Sequence, residues 1–203
     1  MSNVLLLESS LFPAEMSASR AVAAALVERH KGATIVRRDL AADPLPHADL
    51  TMLSGWMTPA EQRSPEQAVA VARSKQAIDE LLAADLIVIG APMYNFSIPS
   101  SLKAWIDHIA IAGQTFRYNE QGRPEGLVSG KKVIVLASRG GVYSEGPMAG
   151  FNHQDPYLRA VFGFLGMTNL TVVDVERQKM GPELAEQARA AAVGQIEQLL
   201  AAA

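Results

Sequence analysis

The chain has 203 residues, 49% hydrophobic and 19% charged, with a formal net charge of −3 at pH 7. That length suits one domain with a buried core, and the composition excludes disordered and membrane classes. No Lys/Arg cluster offers the footprint a nucleic-acid backbone needs, and zero cysteines remove disulfides, thiolate metal sites and cysteine nucleophiles, so any redox chemistry must ride on a bound cofactor.

The N-terminal segment MSNVLLLESS has an apolar run of only Val4 to Leu7, without a basic leader or cleavage signal. It reads as a buried strand rather than a secretion signal. No stretch approaches the roughly 20 apolar residues of a membrane helix, so the expected location is the cytoplasm, with no membrane partner. A first helix is expected from Ser19 to about His30, and a second strand over Thr34–Arg38. Residues 39–64 are Pro-rich and irregular, with a helical turn or two expected. Ser64 as a cap and Pro65 at the first helical position open a helix that runs to Ala83, a pairing with a physical basis in the free N–H groups there.

Leu86–Gly90, LIVIG, is a continuous apolar run, as expected of a central parallel strand. A helix starts near Pro99, with Leu102, Trp105, Ile106 and Ile109 on one face. Residues 112–130 form a Gly-rich excursion with a hairpin expected around TFRYNEQGRPEGLV. Strands over Lys132–Ala137 and Leu170–Val175 alternate with helices opened by Asp155–Pro156 and by Pro182. Five strands alternating with five helices predict one α/β domain over residues 1–203: a doubly wound five-stranded parallel sheet with helices on both faces. The flavodoxin-type order 2-1-3-4-5 is compatible with right-handed crossovers.

In such a sheet ligands bind beyond the carboxyl ends of the strands, near the topological switch point. After the first strand comes ESSLFPAEMSASR, which lacks both G-x-G-x-x-G and G-x-x-x-x-G-K-[ST]. It offers Ser9, Ser10, Ser17 and Ser19 instead, the last two at a helix start. Hydroxyls and free N–H groups there can seat a phosphate, although serines before a helix are also ordinary caps. After the third strand, Met93 to Phe96 place apolar and aromatic residues where a polar turn is the ordinary expectation. Such a loop needs a flat ring or a neighbouring subunit to cover. After the fourth strand, Gly140 and Gly141 permit positive φ or close backbone approach.

Together, SS…SxS, PMYNF and SRGG at these three strand ends, with TFRY, EGLVSGKK and FGFLG, resemble the FMN-dependent NADH:azoreductases, also called FMN-dependent NADH:quinone oxidoreductases. The resemblance runs along essentially the whole chain. It implies a flavodoxin-like fold and an FMN enzyme that passes two electrons from NADH or NADPH to quinones and azo compounds. It implies phosphate or ribityl contacts at Ser10, Ser17, Ala18 and Ser19. Met93, Tyr94, Asn95 and Phe96 would lie under and around the isoalloxazine, and Ser138, Arg139, Gly140 and Gly141 would face its pyrimidine edge. Tyr118, and more loosely Phe151, would stand on the substrate side. It further implies a homodimer with sites at the interface, to which the apolar stretch Leu50–Met57, with Trp56, could add dimer or pocket surface.

The expected kinetics are ping-pong, with nicotinamide and acceptor using the same flavin face in turn; no general acid is evident. No metal is expected, because His30, His47, His108 and His153 have no partner at ligand spacing. Arg139 and Lys103 are candidates for contact with flavin or phosphate, and solvated positions are the simpler reading for both; Asp107 reads as a surface charge. The competing function is a flavodoxin-type electron carrier acting on protein partners. Such carriers are generally shorter and strongly acidic, which a charge of −3 on 203 residues does not match.

Overall fold

A computed structural model describes residues 2–30 and 32–201. Its sheet is built from β1 (Asn3–Glu8), β2 (Thr34–Asp39), β3 (Leu86–Pro92), β6 (Lys132–Ser138) and β7 (Asn169–Val175). All neighbours pair in parallel, in the order β2-β1-β3-β6-β7. Counting only these five strands, that is the order 2-1-3-4-5 expected from the sequence. The expected hairpin is a separate antiparallel ribbon of β4 (Phe116–Tyr118) and β5 (Pro124–Gly126). The helices are α1 (Ala18–Arg29), α2 (Leu50–Met57), α3 (Pro65–Ala83), α4 (Ser100–Ile109), α5 (Gln154–Phe164) and α6 (Pro182–Ala201).

Strand side chains alternate between faces, and the core divides accordingly. Leu5, Leu7, Ile87, Ile89, Val133 and Val135 join Ile78 and Leu81 of α3, Trp105 of α4 and Phe162 of α5. The alternate residues Val4, Leu6, Val88, Ile134 and Leu136 join Leu26 of α1 and Ile196 of α6. β3 is buried along its whole length, which is why its sequence shows no polar alternation. Each fully buried Leu or Ile contributes about 1.5–3 kcal/mol, so the two layers fix the sheet and hold the carboxyl ends of β1, β3 and β6 in register.

Helix starts follow local chemistry, with one correction. Ser64 and Gln67 form a reciprocal capping box, and Pro65 begins α3 as expected. By contrast, α5 is not opened by an Asp155–Pro156 cap. Asn152 Oδ1 accepts from the N–H groups of Gln154 and Asp155, both at 3.2 Å, which frees Asp155 to reach Arg139. The irregular segment 39–64 contains α2, a full two turns capped by Asp49 at 2.8 Å from the Met52 N–H.

Candidate functional site

The loops after β1, β3 and β6 meet around a cavity of about 620 Å³, within the usual range for a cofactor site. Its first wall is the start of α1. Ser17 caps that helix, its hydroxyl accepting from Arg20 N–H at 3.4 Å and lying 3.2 Å from Ser19 Oγ. Among the described residues, the N–H groups of Ala18 and Ser19 have no hydrogen-bond acceptor, as expected of a helix's first turn. Ser10 Oγ accepts from Phe12 N–H at 3.2 Å, leaving its proton to donate. Ser10, Ser17 and Ala18 line the cavity. The Ser19 side chain does not: it is buried, and its oxygen would lie 3.8 Å from a Cβ at Gly90. Ser19 therefore supports the seat from behind and offers only its N–H.

Arg20 holds this seat in place. Its guanidinium donates to Glu8 at 3.1 Å, to Asp39 at 2.7 and 2.9 Å, and to Ser10 O at 2.9 Å. One buried cation thus ties the ends of β1 and β2 to the loop carrying Ser10. The Arg20 hydrogen bonds hold the Asp39 carboxyl below the ordinary range. With its cation consumed in this way, the seat contains only neutral donors and the positive end of α1.

The second wall follows β3. Met93 N–H donates to Ser138 O at 2.8 Å, and Tyr94 and Ser97 exchange backbone hydrogen bonds at 3.0 and 3.1 Å. Asn95 and Phe96 between them have φ of 49° and 71°. Two consecutive positive values across such a closure make a type I′ turn, an expensive conformation for Phe. The turn leaves the Asn95 and Phe96 N–H groups without acceptors among the described residues. Phe96 packs on Phe151 at 5.2 Å and on Tyr143 at 6.2 Å between ring centroids, so Phe151 stands beside the cavity's aromatic edge. Tyr94 Oη accepts from Leu11 N–H at 3.1 Å, tying this wall to the first.

The third wall follows β6. Gly140 and Gly141 do not adopt positive φ; of the two expectations for the pair, it is the approach of neighbouring side chains that the structure shows. A Cβ on Gly140 would stand 3.2 Å from the Lys179 stem, and one on Gly141 3.4 Å from the Tyr143 ring. The N–H groups of both glycines lack acceptors among the described residues. Arg139 is not a solvated residue. Its guanidinium is fully buried and bonds Gln154 at 3.1 Å, Asp174 at 2.6 Å, Glu176 at 3.0 Å and also Asp155. Lys103 does stay outside, paired with Asp107 at 2.7 Å.

The loop after β7 was not anticipated as part of the site. Gln178 and Lys179 N–H groups donate to Arg139 O and Gly140 O at 3.0 and 2.9 Å, and Gln178, Lys179 and Met180 line the cavity. Glu176 organises this wall, accepting from Tyr143 N–H at 2.7 Å and from Ser144 N–H and hydroxyl at 2.8 Å. Burial pushes its carboxyl up, but the bonds from Tyr143, Arg139 and Ser144 together hold it below the ordinary range. The available signal was positional: β7 is the sheet neighbour of β6, so its following loop must border the same end.

Tyr118 does not line the cavity of its own chain; it is 62% exposed on the ribbon. Trp56 of the Leu50–Met57 stretch is half-buried, one part of it packed against the core. A second cavity of about 510 Å³ borders α2 and α3. Its His108 already has both ring nitrogens occupied, by Ser74 Oγ at 2.7 Å and Pro46 O at 2.9 Å. Among the described residues no group of three His, Cys, Asp or Glu is placed to hold a metal ion.

The main cavity therefore has hydroxyl and N–H donors at a helix end, apolar and aromatic walls, and four further free N–H groups on two tight loops. That donor set fits a flat heteroaromatic ring with acceptor atoms along one edge and a terminal monophosphate. The family described as having a flavodoxin-like fold matches residues 2–200. The chain is 50% identical over 207 residues to FMN-dependent NADH:quinone oxidoreductase 1 of Rhizobium etli, covering 100% of both chains. It is 47% identical over 190 residues to FMN-dependent NADH:quinone oxidoreductase 2 of Pseudomonas fluorescens, covering 92% of this chain and 93% of that one. Among solved structures, an azoreductase from Bacillus anthracis superposes with a TM-score of 0.88 at 34% identity, covering 98% of each chain. An FMN-dependent NADH-azoreductase from the same species, in complex with FMN, superposes at 0.86 with 26% identity, covering 98% of this chain and 99% of that one. With this fold, this cavity and these relatives, the chain belongs to the flavodoxin-like FMN-dependent NADH:quinone oxidoreductase family.

Proposed function

We propose that this enzyme transfers two electrons from NADH, or from NADPH, to quinones and azo compounds with FMN held in the 620 Å³ cavity. The observation that carries this reading is the set of free N–H groups on Ala18, Ser19, Asn95, Phe96, Gly140 and Gly141. Ala18, Asn95, Phe96, Gly140 and Gly141 line one cavity and Ser19 stands behind it, a set that fits a phosphate at one end and a ring with polar edge atoms at the other. Bound FMN supplies the electron chemistry; the protein contributes orientation and electrostatics. Ser10, Ser17 and Ala18 hold the phosphate end, with Ser19 offering its N–H. Met93, Tyr94 and Phe96 exclude water from the ring, and Ser138, Arg139, Gly140 and Gly141 form its polar border.

Chemical balance sets the stoichiometry. A quinone takes two electrons and two protons to become a hydroquinone, whereas complete cleavage of an azo bond takes four of each. One nicotinamide should be consumed per quinone and two per azo bond. Donor and acceptor share one cavity mouth in this reading, which gives ping-pong kinetics.

We also read the chain as one doubly wound domain acting as a cytoplasmic homodimer. Along α2, Leu50, Leu53 and Met57 point outward and are exposed by 80%, 52% and 86%. This apolar stripe lies on an element whose other side is packed, as expected of an interface. Tyr118 then serves a site only in the assembled pair. The test is direct: purified protein should be yellow, and should oxidise NADH or NADPH only when a quinone or azo dye is present. Double-reciprocal plots should be parallel. A colourless protein that ignores FMN overturns the reading, and a stable one-electron form without nicotinamide oxidation favours the electron carrier.

A further inference from the structure

The cavity contains a charged group that the phosphate seat and ring border do not account for. Two charged residues line it, Arg139 and Lys179. The Arg139 guanidinium is buried behind the wall and faces three carboxylates, Asp155, Asp174 and Glu176, so that side of the site has an excess of negative charge. Lys179 follows Glu176 in the same loop after β7. Its backbone N–H is fixed to Gly140 O at 2.9 Å, and its Cγ and Cδ pass 3.3 and 3.2 Å from where a Gly140 Cβ would be. Among the described residues its ammonium has no carboxylate partner. The absence of a side chain at Gly140 leaves the lysine stem room to lie close over the loop.

We propose that Lys179 is the charge-tuning residue of this site: its side chain, whose stem passes over Gly140, brings an ammonium that stabilises the negative charge that reduction adds to the polar end of the bound flavin. The inference rests on FMN occupying the cavity as read above. Two electrons and one proton added to the neutral oxidised ring leave one negative charge, which the carboxylates behind Arg139 oppose and Lys179 offsets. An ammonium within about 6 Å, at a dielectric of about 40, would favour the reduced cofactor on the order of tenfold.

The experiment compares the FMN-loaded wild type with Lys179→Met, which keeps the apolar stem, and with Lys179→Arg, which keeps the charge. Midpoint potentials are measured by dye equilibration during dithionite reduction, and oxidised-FMN affinity by fluorescence titration. Lys179→Met should lower the potential by about 30 mV, the two-electron equivalent of tenfold, while oxidised-FMN affinity stays near wild type. Lys179→Arg should restore the potential, and added salt should shrink the difference. An unchanged potential in Lys179→Met overturns the proposal and leaves the FMN reading intact. A loss of oxidised-FMN affinity without a potential shift also overturns it, making Lys179 a general anion grip. A wild type that does not bind FMN refutes the underlying reading.

Discussion

Phe96 shows most directly how a single residue trades stability for a site. Its φ of 71° costs about 1–3 kcal/mol in a non-glycine residue, and the aromatic contacts with Phe151 and Tyr143 return about 0.5–1.5 kcal/mol each. Phe96→Gly would create an Asn-Gly pair, the preferred chemistry of a type I′ turn. Its stability should stay within about 1 kcal/mol of wild type in urea denaturation, while FMN affinity falls several-fold by titration. A large loss of stability would show that the ring, not the turn, holds the loop. Asp39 gives a pH prediction at the same scale. Arg20 depresses its folded-state pKa, so its stabilisation is complete above the ordinary carboxylate value near 3.9 and is lost as pH falls through the lower folded value. Glu176 acts with the same sign; Asp174, pushed up by burial, acts with the opposite one. Thermal melts should show wild type losing Tm below about pH 4. Asp39→Asn should start lower at neutral pH and follow a flatter acid profile.

Among the elements, the β4–β5 ribbon is the clearest case of structure imposed from a distance. Three residues per strand cannot hold a ribbon alone. It is clipped to the end of α5 by Val128 N–H donating to Leu165 O at 2.9 Å, and Gly126 passes so close that its Cβ would meet Gly166 N at 2.2 Å. Gly126→Ala must push two backbones apart and should cost about 1–3 kcal/mol, measured by chemical denaturation, with only a small change in FMN affinity. The hairpin itself was legible from turn residues between β-rich segments. Its clamp was not, because nothing in EGLV names the helix end it meets. The same contrast holds for the loops: SSLFPAEMSAS and PMYNF announced a site through unusual composition, whereas ERQKM after β7 is ordinary in composition and joins only because β7 pairs with β6.

For the whole molecule, the proposed dimer follows from the outward stripe of α2. Introducing charge with Leu50→Glu and Leu53→Glu should convert a dimer to monomer by size-exclusion chromatography, since both residues are mostly exposed in the single chain and bury no core surface. A monomeric wild type would dismiss the interface. If Tyr118 acts across it, the charged double variant should lose turnover while retaining most FMN affinity, because the cofactor cavity is lined within one chain. What the sequence by itself determined was the strand-and-helix alternation and the three loops that carry hydroxyls, aromatics and glycines; the strand order was only compatible with it, and the pairings fixed it. Those features are local: period, capping residues and turn chemistry act over a few residues. Only the tertiary structure decided that Arg139 is buried among three carboxylates, that Ser19 faces inward, and that Lys179 crosses Gly140. Each depends on segments from separate elements meeting at one sheet end, as with Asp155 and Asp174, 16 and 35 residues from Arg139, or on which way a helix start is turned, and no periodicity encodes either.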